Sequence, residues 1–177
     1  MMTRNISLSG FALTILILCT PLTTFGYYTT DQTVTKVTDQ TALYSVTYNF
    51  GLANRDVYLP ITTQRNLAFA DTQDIQSVGY SFISSTNGTP TDGTAVGLIL
   101  SDAPIVNNMY KIGAGHRANF TLFVVLTLDA DDPKAKYALQ VDKLPFIVES
   151  SDSSQEQREL NNYELSNYVT GKVGLNR

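Results

Sequence analysis

Few residues in this sequence are equipped for chemistry. A serine or cysteine nucleophile needs a histidine to move its proton, and His116 is the single histidine among 177 residues. It follows Gly113-Ala114-Gly115 and precedes Arg117, which reads as an exposed turn. The lone cysteine, Cys19, lies in an apolar N-terminal run, so the rest of the chain has no thiol. One histidine with scattered carboxylates is a poor donor set for zinc. Asp129, Asp131 and Asp132 fall in one short loop and could gather oxygen ligands around calcium. The loop lacks the glycine and distal glutamate of an EF-hand, and a solvated acidic turn accounts for the same residues. Glycoside hydrolysis needs only two facing carboxylates, but the acids here sit mainly in turns, and the chain has no tryptophan for a sugar platform. No catalytic set and no cofactor are expected.

Tyrosine offers a rigid apolar body with a polar tip. Of the ten tyrosines, most fall on inward-facing positions, whereas Tyr27, Tyr28 and Tyr58 are the candidates for exposed aromatic contacts. Asn87-Gly88-Thr89 and Asn119-Phe120-Thr121 match the glycosylation sequon, the second within a strand expected to be buried. Basic residues do not cluster. With 16 acids against 12 Lys plus Arg and a pI near 4.8, phosphate-directed binding to nucleic acid is disfavoured, as is attraction to an anionic membrane surface.

The N-terminus carries Arg4, then an apolar run from Phe11 to Leu18, then Pro21 and the small residues Thr24 and Gly26. This is the pattern of a signal peptide over residues 1–26, cleaved after Gly26, because the apolar core falls well short of the roughly 20 residues that span a bilayer. Two other outcomes are an uncleaved anchor and a lipid on Cys19, although Leu18 stands where a lipobox carries a small residue. Cleavage leaves residues 27–177 as one domain without a disulfide. At this length roughly 68–70% of the unfolded chain's surface is buried on folding, enough for a core without staples.

The elements that must position these residues read as strands. Residues 118–128 alternate Phe120, Leu122, Val124, Leu126 and Leu128 on one face with Phe123 and Val125 on the other, which predicts a central strand needing cover on both sides. Residues 27–40 are Thr-rich and read as an edge strand. Ala42, Tyr44, Val46, Tyr48 and Phe50 mark a half-buried strand, and Pro60 predicts an edge or bulge for the strand around Val57 and Leu59. Val78, Tyr80 and Phe82 predict a strand pairing through the Asn87-Gly88 and Asp92-Gly93 turns with a strand whose core face is Val96, Leu98 and Leu100. Apolar parity switches at Asp142-Lys143, between Leu139-Val141 and Leu144-Phe146-Val148, predicting a bulge. Residues 149–157 read as a loop, and Tyr163, Leu165 and Val169 as a terminal strand, with a short helix after Ser153 as the alternative.

The run Tyr110-Lys111-Ile112-Gly113-Ala114-Gly115, then Phe120-Thr121-Leu122-Phe123-Val124-Val125 and Tyr137-Ala138-Leu139-Gln140-Val141, resembles the closing hairpin of bacterial immunoglobulin-like surface modules. The paired cysteines and buried tryptophan of antibody domains are absent. The resemblance implies an antiparallel immunoglobulin-like β-sandwich at the cell surface and carries no functional residue across. With the spacing of turn signals, the expected fold is all-β with roughly seven to nine strands. Its core is expected to hold Tyr44, Val46, Tyr48, Val78, Tyr80, Phe82, Val96, Leu98, Phe120, Leu122, Val124, Leu126, Leu139 and Val141. Three functions are ranked on this basis: an exported non-catalytic surface or assembly module, then a carbohydrate- or calcium-binding module, then a small secreted hydrolase. The expected partners are other surface proteins, or a second copy through an exchangeable edge strand at residues 29–38.

Overall fold

The computed structural model describes residues 28–65, 76–85, 93–129, 132, 134–149, 154–161 and 163–176. Within them lie twelve strands and no helix, more strands than the turn signals alone predict. In chain order these are β1 (Tyr28–Lys36), β2 (Thr41–Phe50), β3 (Val57–Pro60), β4 (Thr62–Arg65), β5 (Ser77–Ser84), β6 (Thr94–Ser101), β7 (Ile105–Val106), β8 (Met109–Ile112), β9 (Ala118–Thr127), β10 (Ala135–Glu149), β11 (Gln155–Asn161) and β12 (Val173–Leu175). The expected signal peptide over residues 1–26, Cys19, Tyr27, Asp131 and the turn expected at Asn87-Gly88 lie outside the described residues.

One sheet runs β1-β2-β9-β6, all antiparallel. The other is built on β10, whose 15 residues serve two sets of neighbours. Lys143 pairs with Gly79 of β5 and with Asn161 of β11, and Val148 pairs with Val57 of β3 and Glu156 of β11. Since a residue can pair with one strand on each side, β5 and β3 share one flank of β10 while β11 takes the other. Tyr137, paired with Ser84 of β5 and Val173 of β12, puts β12 on the flank of β11. Beyond β3 come β8 and β7, and beyond β5 lies β4, the one parallel pairing. The order β1-β2-β9-β6 facing β5-β10 with a closing strand reproduces the A-B-E-D and C-F-G sheets of an immunoglobulin-like sandwich.

Aromatic side chains join the two sheets. The Tyr44 hydroxyl donates to the Tyr137 carbonyl at 3.2 Å, and edge-to-face pairs link Tyr44 with Phe82 and Phe50 with Phe146. Phe120 stacks on Tyr48 and meets Tyr110 edge-on. Such pairs add about 0.5–1.5 kcal/mol each beyond their area burial. The expected core residues are buried, apart from Val96 and Leu98.

Several expectations need correction. Val96, Leu98 and Leu100 are 67%, 54% and 51% exposed, and Ile99, at 2%, is the bulky residue of β6 that enters the core. Ala95 and Gly97 flank it inward because β4 approaches there. A Cβ on Gly97 would lie 2.6 Å from Thr63 Oγ1 and 2.9 Å from the Tyr80 ring, so the inner face of β6 has room only for small residues. β5 and β6 do not form a hairpin, since they belong to opposite sheets. For the same reason the segment resembling a closing hairpin is a crossover, with β8 and β10 in one sheet and β9 in the other. β3 lies inside its sheet, between β10 and β8, and Pro60 ends it opposite Met109. The loop expected over 149–157 gives way to β11 from Gln155, which also displaces the alternative helix, while residues 163–167 form turns with one bridge at Val169 in place of a terminal strand.

Other features follow the sequence. β9 is central in its sheet and β1 is an edge. The register of β10 on β5 shifts between Val141 and Lys143, where buried Asp142 accepts a hydrogen bond from Ser81 Oγ at 2.9 Å. Asn107 and Asn108 adopt φ of 51° and 62°, the two positive values that a two-residue type I′ turn between β7 and β8 requires.

Candidate functional site

The misassigned face of β6 is the most informative surface. Val96 lies opposite Val125 of β9, which in turn lies opposite Leu43 of β2. Leu98 lies opposite Phe123, and Leu100 opposite Thr121. Val125 is 41% exposed, and Phe123 and Leu43 are half-buried. The cover expected over Phe123 and Val125 is therefore not provided by the described residues. Polar ladders bound this aliphatic patch. Thr41 and Thr127 hydroxyls meet at 3.2 Å at one end, and at the other Thr47 meets Thr121 at 2.9 Å and Asn49 Nδ2 donates to Asn119 Oδ1 at 2.9 Å. An apolar centre with a polar rim is the anatomy of a protein-contact surface, and contiguous exposed apolar patches on soluble domains are commonly such sites.

A second, polar constellation lies on the outer side of β3 and β8. Lys111 Nζ is 2.7 Å from Asp56 Oδ2 and 5.5 Å from the Tyr58 ring centre, and the Tyr58 hydroxyl donates to Glu149 at 2.5 Å. Ala114 N–H donates to Asp56 Oδ1 at 2.8 Å, fixing the glycine turn. The Lys111 ammonium, followed by the Ala114 N–H, holds the Asp56 carboxyl below the usual carboxylate range, while Asp56 and Tyr58 hold Lys111 above the usual amine range. The bond to Glu149, and then burial, raise the Tyr58 phenol. A carboxyl depressed in the folded state contributes stability that is complete above its unfolded pKa near about 3.9 and is lost as pH falls through the lower folded value. Asp56→Asn should therefore lower the melting temperature at neutral pH, and the gap to wild type should close as pH is taken below about 3.9. A gap independent of pH in thermal scans would count against the ion pair.

Of the residues singled out in the sequence, His116 is exposed, on the rim of an open groove of about 490 Å³ that Lys111, Arg117 and Asp102 also line. The groove mixes charges: Lys111 is engaged by Asp56, and Asp102 accepts the Asn119 N–H at 3.0 Å. Asp129 is exposed, whereas Asp132 is buried and accepts the Asp129 N–H at 2.7 Å, so one of its oxygens closes the loop. Asp131 lies outside the described residues, so of the three acids the structure places Asp129 and Asp132, joined by that bond. Tyr58 is held in the network above, and Tyr28 pairs with Asn49 at the start of β1. Asn119, expected in a buried strand, points outward and is exposed. Sequence reading missed the partners of Tyr58 because they arrive from strands distant in the chain. It missed the β6 patch because both faces of Thr94–Ser101 carry apolar residues.

Fold and surface together define an immunoglobulin-like β-sandwich with an open aliphatic face on its A-B-E-D sheet. No family model matches the chain, and no curated protein matches it. Among solved structures, the crystal structure of the yeast GGA1 GAE domain-P21 is similar at a TM-score of 0.29 and 7% identity, covering 74% of this chain and 87% of that chain. The assignment to the immunoglobulin-like class rests on the strand order above. Among the described residues, no helix is long and apolar enough to cross a membrane.

Proposed function

We propose that the protein is an exported, non-catalytic module that acts at the cell surface, or in the space beyond the membrane, through contacts with other protein surfaces. The observation that carries this reading is the apolar row of exposed Val96, Leu98, Leu100 and Val125 with half-buried Phe123, presented on two paired strands and bounded by threonine and asparagine ladders. Strands in a paired register hold side chains in fixed positions, so little ordering entropy opposes docking. The signal pattern over residues 1–26 supports export.

Intact-mass measurement of the exported protein is expected to show a chain starting at Tyr27. Binding of that protein to a panel of purified surface proteins is expected to weaken roughly tenfold or more in Leu98→Lys, the size of effect that truncating or charging a central contact produces. Equal binding by wild type and Leu98→Lys across the panel, or turnover on a hydrolase panel abolished by one carboxylate change, would contradict the reading.

A further inference from the structure

Among the described residues, each outer strand of the β1-β2-β9-β6 sheet is paired on one side only, and the two edges are built differently. β1 carries Asp31 and Lys36, and its register on β2 shifts between Thr29 and Asp31. Charges and bulges are the devices that keep an edge strand from recruiting another chain. β6 has neither: Thr94–Ser101 contains no charged residue and no proline, and its register on β9 is unbroken over all eight positions. The exchangeable edge expected at residues 29–38 is thus the guarded one.

Resting on the protein-contact reading above, we infer that the occupant of the β6 edge is a second copy of this chain, its β6 added antiparallel across a two-fold axis at Leu98. Residues facing each other across an antiparallel pair share a face, so the sum of their numbers must be even. Centring on Leu98 places Val96 opposite Leu100 of the other copy and Leu98 opposite its own equivalent, aliphatic against aliphatic on the outer face. On the inner face Gly97 meets Ile99, and Ala95 meets Ser101. Large residues thereby face small ones where β4 and Tyr80 leave least room. Because the strand is uncharged, its identical partner meets no like-charge repulsion, which is what a self-complementary interface needs. The two aliphatic patches then join into one strip across an eight-stranded sheet.

The test uses the exported protein starting at Tyr27, which carries no cysteine, so that an introduced thiol is the sole one. Sedimentation equilibrium of the parent is expected to give a dimer, and Leu98→Lys, which sets two ammonium groups face to face, a monomer, with an association constant lowered roughly tenfold or more. Circular dichroism of Leu98→Lys should match the parent, since position 98 is exposed. Leu98→Cys, a milder change, is expected to cross-link with itself on oxidation. Val96→Cys and Leu100→Cys should cross-link efficiently only when mixed with each other. A parent that stays monomeric at every concentration, a dimer that survives Leu98→Lys, or equal cross-linking in all combinations would overturn the inference. A monomeric parent whose affinity for a foreign surface protein falls in Leu98→Lys would also overturn self-pairing, while leaving the protein-contact reading in place.

Discussion

Replacing Phe120 with alanine should lower folding stability by about 3–5 kcal/mol, the range for removing a fully buried aromatic side chain. Phe120 has no exposed surface and sits on the central strand β9, its ring 5.6 Å from both the Tyr48 and Tyr110 rings. Tyr48 comes from the neighbouring strand of the same sheet and Tyr110 from the opposite sheet, so the deletion opens a cavity where the layers meet. The surrounding strands are held by ladders and cannot close around it, which puts the cost at the upper part of the range. For a chain of this size each kcal/mol moves the melting temperature by about 2–4 °C, so a fall of roughly 6–20 °C is expected. Thermal unfolding by circular dichroism measures it. A shift of less than about 2 °C would mean that the Phe120 site can collapse or is not a core position.

Much of this fold is legible where a strand has one polar and one apolar face. In β2 the alternation of Ala42, Tyr44, Val46, Tyr48 and Phe50 names its buried side correctly, and the parity switch in β10 announces the bulge at Asp142. β6 is different. Its sequence offers Val96, Leu98 and Leu100 on one side and Ala95, Gly97 and Ile99 on the other, and apolar volume favours the wrong one. The deciding fact is non-local, since β4 and Tyr80 crowd the inner side at Gly97. Strand order is hidden for a related reason: glycine and asparagine turns signal that the chain reverses but not which sheet the next strand joins. The polar network of Asp56, Tyr58, Lys111 and Glu149 depends on that order, so Tyr58 reads in sequence as a free contact aromatic.

The facing of β6 is the premise of both the contact surface and the two-fold pairing, and a pair of substitutions tests it directly. Ile99 is buried against the opposing layer, its carbonyl accepting the Tyr110 hydroxyl at 3.0 Å, whereas Leu98 beside it stands more than half exposed. Ile99→Ala removes core volume and is expected to cost about 2–5 kcal/mol, while Leu98→Ala, measured at protein concentrations low enough for the chain to be monomeric, should stay within about 0.5 kcal/mol. Equilibrium urea unfolding of wild type and the two variants, at equal low concentration, gives both numbers. The facing described here predicts a large loss for Ile99→Ala and almost none for Leu98→Ala; the reverse order would put Leu98 in the core and contradict it.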